Sequence, residues 1–166
     1  MALTPAQKTA LKADIIAAAD APMQALELNP ASSDLAFAVA ALYNTDAAPT
    51  FTVWRTDTPT KDIKKAIVWT EYISAVSGAE HNAFSLIIAN GIVNAGDANI
   101  RQGFADIFAG PNKDQTLAAL LAIAKRPAKR GEKLFATGTG TTGSPGTLTF
   151  EGNLSFNDVL LAMAEG

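Results

Sequence analysis

Between Asp97 and Ala109, apolar side chains return at Ile100, Phe104, Ile107 and Phe108. That i, i+4, i+7, i+8 spacing puts all four on one face of an α-helix, whereas a strand would turn Ile107 away from the other three. Gly110-Pro111 then supplies a C-terminal stop. The same logic recurs along the chain. Leu11, Ile15 and Ala18 follow Thr4 and Pro5, a capping residue and a first-turn proline. Leu35, Val39 and Leu42 follow Ser33, and Leu117, Leu120, Leu121 and Ala124 lie in a helix from Thr116 to Lys125. Each helix is short and can bury only one stripe, so the pieces must pack on one another. The expected fold is mainly α, a helical bundle with a short β-hairpin or extended arm near the C-terminus.

Turn residues set the remaining boundaries. The first helix should run to about Ala19 and end at Asp20 and Pro22, with a loop at Asn29-Pro30. Phe51-Thr52-Val53-Trp54 alternates and is rich in β-branched and aromatic residues, which predicts a short extended segment. One helix is expected from Thr58–Thr60 to Ser77-Gly78, carrying Ile63, Ala66, Ile67 and Tyr72, and another over residues 80–89. Pro127 ends or kinks the helix before it. Residues 137–147 contain Thr, Gly, Ser and Pro with almost nothing to bury, and read as a flexible loop or hairpin tip. Leu148-Thr149-Phe150 alternates like a strand, and Ser155 with Asp158 predicts a capping box for a last helix, Phe156 to Ala164. The length of 166 residues argues for one domain, 1–166. Much of its apolar content is alanine, which buries little area and implies a thin core of the kind that subunits complete against neighbours.

Several chemistries lack their residues. There is no cysteine, so disulfides, thiol catalysis and Cys-zinc sites are excluded. His81 is the single histidine, too few for a His-based zinc site, and no G-x-S-x-G elbow offers a serine nucleophile for it to activate. It reads as a surface residue beside Glu80. Gly138, Gly140 and Gly143 match G-x-G-x-x-G, but Ser144-Pro145-Gly146 follows where a phosphate-binding helix should open. Asp57, Asp62 and Glu71 could serve acid–base chemistry, yet acids at helix starts are common for dipole reasons. Asn94, Gly96, Asp97 and Asn99 lack the closing glutamate of a calcium loop and read as a turn and helix cap. No cofactor, metal or catalytic residue is therefore expected. The formal net charge of −3 gives no global field for nucleic acid. Residues 1–10 do not resemble a signal peptide, and the apolar runs are too short to span a bilayer.

Lys125, Arg126, Lys129, Arg130 and Lys133 place five of the 13 basic residues within nine positions. They read either as a solvated helix end or as a patch facing phosphate or an acidic partner. Trp54, Trp69, Phe51 and Tyr72 are expected in the core; exposed, they would be natural interface anchors.

Three segments together carry a resemblance: Phe51 to Asp57, Asn99 to Phe108, and above all Lys125 to Gly140 with Leu148 to Phe156. The most distinctive part is Leu-Phe-Ala-Thr-Gly-Thr-Gly-Thr at 134–141 with Leu-Thr-Phe-Glu-Gly at 148–152. The pattern resembles small proteins encoded in the structural gene modules of tailed bacteriophages and prophages. It implies a virion protein, not an enzyme, made in the host bacterial cytoplasm. A helical subunit with a mobile loop is similar in architecture to head–tail adaptor (connector) proteins, which form a ring under the portal. The partners so implied are copies of itself, portal, capsid or tail proteins, and packaged DNA touched without sequence specificity, with no membrane. A capsid decoration or cement protein and a tail component are alternatives within that class, and a small carboxylate-based enzyme is the alternative outside it.

Overall fold

The computed structural model describes residues 2–165. It is mainly helical, with ten helices and a few short strands among those residues. The chain sorts into two compact units: Met1–Phe51 with Pro127–Gly166 (unit 1), and Thr52–Arg126 (unit 2).

Unit 1 holds α1 (Pro5–Ala17), α2 (Ala21–Leu28), α3 (Ser33–Tyr43), α9 (Arg130–Phe135) and α10 (Phe156–Glu165). Helix α1 opens as expected: the Thr4 hydroxyl accepts from the Gln7 N–H while the Gln7 side chain accepts from the Thr4 N–H. Leu11 and Ile15 are buried against Met23, Leu26, Val39 and Tyr43, with Phe135, Phe150, Leu154, Val159 and Met163 completing the core. Helix α2 corrects the sequence reading. Asp20 and Pro22 do not only end α1; proline in the first turn starts a new helix whose Met23 and Leu26 reach the core. The last helix begins where Ser155 and Asp158 exchange capping bonds. Leu148-Thr149-Phe150 is not a strand. Phe150 is buried edge-on against Phe135, and the Thr149 hydroxyl donates to the Phe135 carbonyl.

The Thr/Gly-rich run forms a loop closed by a backbone bridge between Thr137 and Thr147 and by mutual bonds between Thr141 and Ser144. Its apolar anchor comes from far away in sequence. The Phe51 ring lies against Gly140 and Gly146, so closely that a Cβ at either position would overlap it. Gly140 also has φ +66°, which glycine adopts without penalty.

Unit 2 contains β1 (Thr52–Trp54), β2 (Thr58–Pro59), α4 (Thr60–Ala66), α5 (Trp69–Ala75), α6 (Gly78–Ile88), β3 (Ile92–Val93), α7 (Ala98–Phe108) and α8 (Asp114–Ile123). Strand β4 (Lys125–Pro127) pairs with β1, and β2 pairs antiparallel with β3. Pro127 thus closes a strand rather than kinking a helix. Phe104, Ile107 and Phe108 of α7 are buried with Ile63, Ile67, Phe84, Val93 and Leu120, the face its periodicity requires. The single helix expected over 58–77 is two. Ile67 and Val68 are extended, and the Val68 N–H donates to the Thr116 hydroxyl instead of continuing a helix. Ser77 does not end that segment but caps α6, in a capping box with Glu80.

Candidate functional site

The five basic residues do not behave as one solvated helix end. Lys125 and Arg126 lie in β4 and belong to unit 2; Lys129, Arg130 and Lys133 belong to unit 1. All five are half-buried. The Lys125 ammonium sits 5.1 Å from the centre of the Trp54 ring, which the Arg101 guanidinium also approaches, at 4.6 Å. Lys129 donates to the Asn153 side chain, and Lys133 reaches the Pro49 carbonyl at 3.4 Å.

Arg130 is the most committed. It donates to Asp20 at 2.9 Å, lies 3.9 Å from Asp14 and stacks over the Tyr43 ring at 5.2 Å. The Tyr43 hydroxyl donates to Asp14 at 2.6 Å. Burial first, then the bond to Asp14 and its charge, push the Tyr43 phenol well above its ordinary value. It is a fixed hydrogen-bond donor and cannot act as a base near neutrality. These groups border a hollow of about 630 Å3 lined by Asp14, Thr45, Asp46, Ala47, Ala48, Arg130, Lys133 and Leu134. Two carboxylates and two cations face it, so it exerts little net field on a ligand. Arg130, already paired with aspartates, ties α1, α3 and α9 together. Sequence spacing missed this network because Asp14, Asp20 and Tyr43 lie over eighty residues from Arg130, on the order of half the chain.

The more unusual arrangement is α5. Its glutamate is inside and its large apolar side chains are outside: Glu71 is 6% exposed, Trp69 53% and Ile73 75%. Helix α8 explains the glutamate. Its N-cap residue, Lys113, makes no side-chain cap bond. Glu71 takes that role, accepting from the N–H groups of Thr116 at 2.8 Å and Gln115 at 3.3 Å. Burial disfavours the charged carboxylate, but the Thr116 hydroxyl and these two N–H groups outweigh it and hold the carboxyl below its ordinary range. With Glu71 turned inward, Trp69 and Ile73, four apart, share the opposite face. Of the expected core aromatics, Trp69 is therefore at the surface, and Trp54, Phe51 and Tyr72 are half-buried.

Tyr72 joins Trp69 to the core, meeting Trp69 and Phe84 edge-on at 5.6 Å and His81 at 4.4 Å. His81 is thus no free surface residue; a ring nitrogen lies 2.9 Å from the Tyr72 carbonyl. Nearby, Glu80 accepts from Lys113 at 2.7 Å and from the Ser77 N–H. These bonds, with Lys113 contributing most, draw the Glu80 carboxyl down to about 2.

The other candidate chemistries stay apart. Asp57 pairs with Arg55, Asp62 lies in the first turn of α4, and Glu71 is on a separate helix. Asn94 and Asp97 accept from the Gly96 and Asn99 N–H groups, as a turn and a helix cap do. Gly138, Gly140 and Gly143 open no helix. Among the described residues, no three His, Cys, Asp or Glu side chains converge to hold a metal ion, and no helix is long and apolar enough to cross a membrane. No protein-family model, curated protein or solved structure matches the chain.

Proposed function

We propose that this chain is a structural subunit of a tailed-phage particle, an adaptor at the head–tail region that assembles as a ring beside the portal. The observation that carries the assembly reading is the reversed polarity of α5, with Trp69 and Ile73 in solvent and Glu71 buried. A large exposed tryptophan next to an exposed isoleucine costs solvation free energy in a lone subunit and gains it back in an interface. The phage setting rests on the resemblance carried by residues 51–57, 99–108, 125–140 and 148–156. Virion localisation, and portal, capsid or tail proteins as further partners, come with that setting. A capsid cement protein or tail component would use the same kind of surface.

Sedimentation velocity over a range of concentrations, followed by electron microscopy, tests the reading. Closed rings that bind isolated portal are the expected result. A chain that stays monomeric and is retained by neither portal nor capsid would overturn it, and retention by capsid alone would move it to the cement class.

A further inference from the structure

Of the exposed apolar features, which include Leu28, Phe37, Leu86 and Ile92 as well, two differ in shape so that one can fill the other. In unit 2, Trp69 and Ile73 form a ridge on α5. In unit 1, an apolar hollow of about 350 Å3 is lined by Pro30, Ala31, Leu160, Met163 and Ala164. That volume lies at the small end of pockets that take compact ligands and has room for an aromatic side chain. A two-fold contact centred on α5 would set ridge against ridge and leave the hollow unfilled, and a reciprocal two-fold contact would fill both hollows and stop at a dimer. A head-to-tail contact fills one hollow per contact and leaves the next ridge available for growth.

Charge points to the same pairing. Exposed Lys61, Lys64 and Lys65 on α4 precede the ridge in the chain. Exposed Glu27 and Asp34 flank the Pro30–Ala31 turn. Glu165 follows Ala164 but is already engaged by Lys8, so Glu27 and Asp34 are the carboxylates offered to a partner.

We propose that copies of this chain associate head to tail, with Trp69 and Ile73 of one protomer seated in the Pro30/Met163 hollow of the next and the α4 lysines facing Glu27 and Asp34. This rests on the reading of the chain as an assembling subunit and names the surface it uses. Each head-to-tail contact leaves one ridge and one hollow unfilled. Addition continues until the rotation closes a ring, whereas a two-fold contact stops at a dimer. Tryptophan entering a desolvated pocket is the usual chemistry of an interface hot spot.

The chain has no cysteine, so introduced thiols report contacts without background. Ile73→Cys and Ala31→Cys proteins are prepared separately and treated with a short bismaleimide, alone and after mixing. Cross-linked dimer only in the mixture, and a ladder beyond dimer from a chain carrying both thiols, are the expected results. A doubly substituted chain that stops at dimer would show a reciprocal two-fold contact and overturn the proposal. Dimer from Ile73→Cys alone, at the level of the mixture, would show a two-fold contact and overturn the proposal. So would an unlinked mixture from a chain that still assembles, which would leave the assembly reading standing. A wild-type chain that never associates overturns both. As an independent measurement, Trp69→Ala should raise the apparent dissociation constant about 30-fold. Lys64→Glu with Lys65→Glu should weaken assembly, and adding Glu27→Lys with Asp34→Lys should restore it. No restoration in a folded protein would overturn the charge pairing.

Discussion

Helices α7 and α5 lie in the same unit and follow opposite rules. Helix α7 is capped by its own Asp97 and buries Phe104, Ile107 and Phe108, the stripe its periodicity marks. Helix α5 buries Glu71 and leaves Trp69 and Ile73 in water. The difference arises in a third helix. Helix α8 starts without a capping side chain, and Glu71 supplies one from outside. A helix that ends its own hydrogen bonding locally is free to bury its apolar face. One recruited to cap a neighbour is oriented by that duty, and its apolar residues are left in solvent.

Substitutions can break this contrast or sharpen it. The largest stability effect should come from Phe108→Ala in α7. A fully buried phenylalanine is removed, so denaturant titration should show a loss of about 3–5 kcal/mol. A loss below that range would mean that unit 2 repacks easily. Next comes Glu71→Ala, which strips the buried N–H of Thr116 and the partly buried N–H of Gln115 of their acceptor. Calorimetry should find the melting temperature lowered by on the order of 5 °C, with Glu71→Gln milder because it keeps an acceptor. If Glu71→Ala melts like wild type, the capping explanation of α5 is wrong.

Smaller again is the acid response of Glu80. Its carboxyl lies near 2 in the fold against an ordinary 4.5. The folded value is depressed, so its contribution is present above about 4.5 and is lost as pH falls toward about 2. Melting temperatures recorded from about pH 6 to about pH 2 should fall less steeply in Glu80→Gln than in wild type. Parallel curves would remove the Lys113 contact from the account. The smallest effect on folding belongs to Ile73→Ser, where stability should stay within about 0.5 kcal/mol. In sedimentation the same variant should assemble poorly. A core-sized loss of stability would return Ile73 to an ordinary packing role.

Elements with self-contained ends were legible in sequence. Thr4 with Gln7, Asp97, and Ser155 with Asp158 each form their caps within three residues, so α1, α7 and α10 begin where spacing places them. Elements shaped by distant partners were not. The break between α4 and α5 answers to Thr116, and the pose of the Gly140 loop to Phe51. His81 is held by Tyr72, which a scan for catalytic patterns does not weigh. The basic run was visible as composition, but Asp14, Asp20 and Trp54, which pair with or stack on its members, lie far off in the chain. Charge density in sequence marked where cations sit, not which of them are already satisfied.

The division of unit 1 into two chain segments has a consequence for biosynthesis. Helices α1 and α3 bury their apolar faces partly against Val159, Ala162 and Met163 of α10, which the ribosome makes only after all of unit 2. From Phe51 to Phe156, where α10 begins, is about 105 codons, roughly 5–20 s of translation at about 5–20 residues per second. Throughout that interval unit 2 can complete its core while the nascent N-terminal helices wait with open apolar stripes. The order of translation therefore makes the N-terminal segment of unit 1 the part most exposed to chaperones and to premature contact with other nascent chains on a polysome.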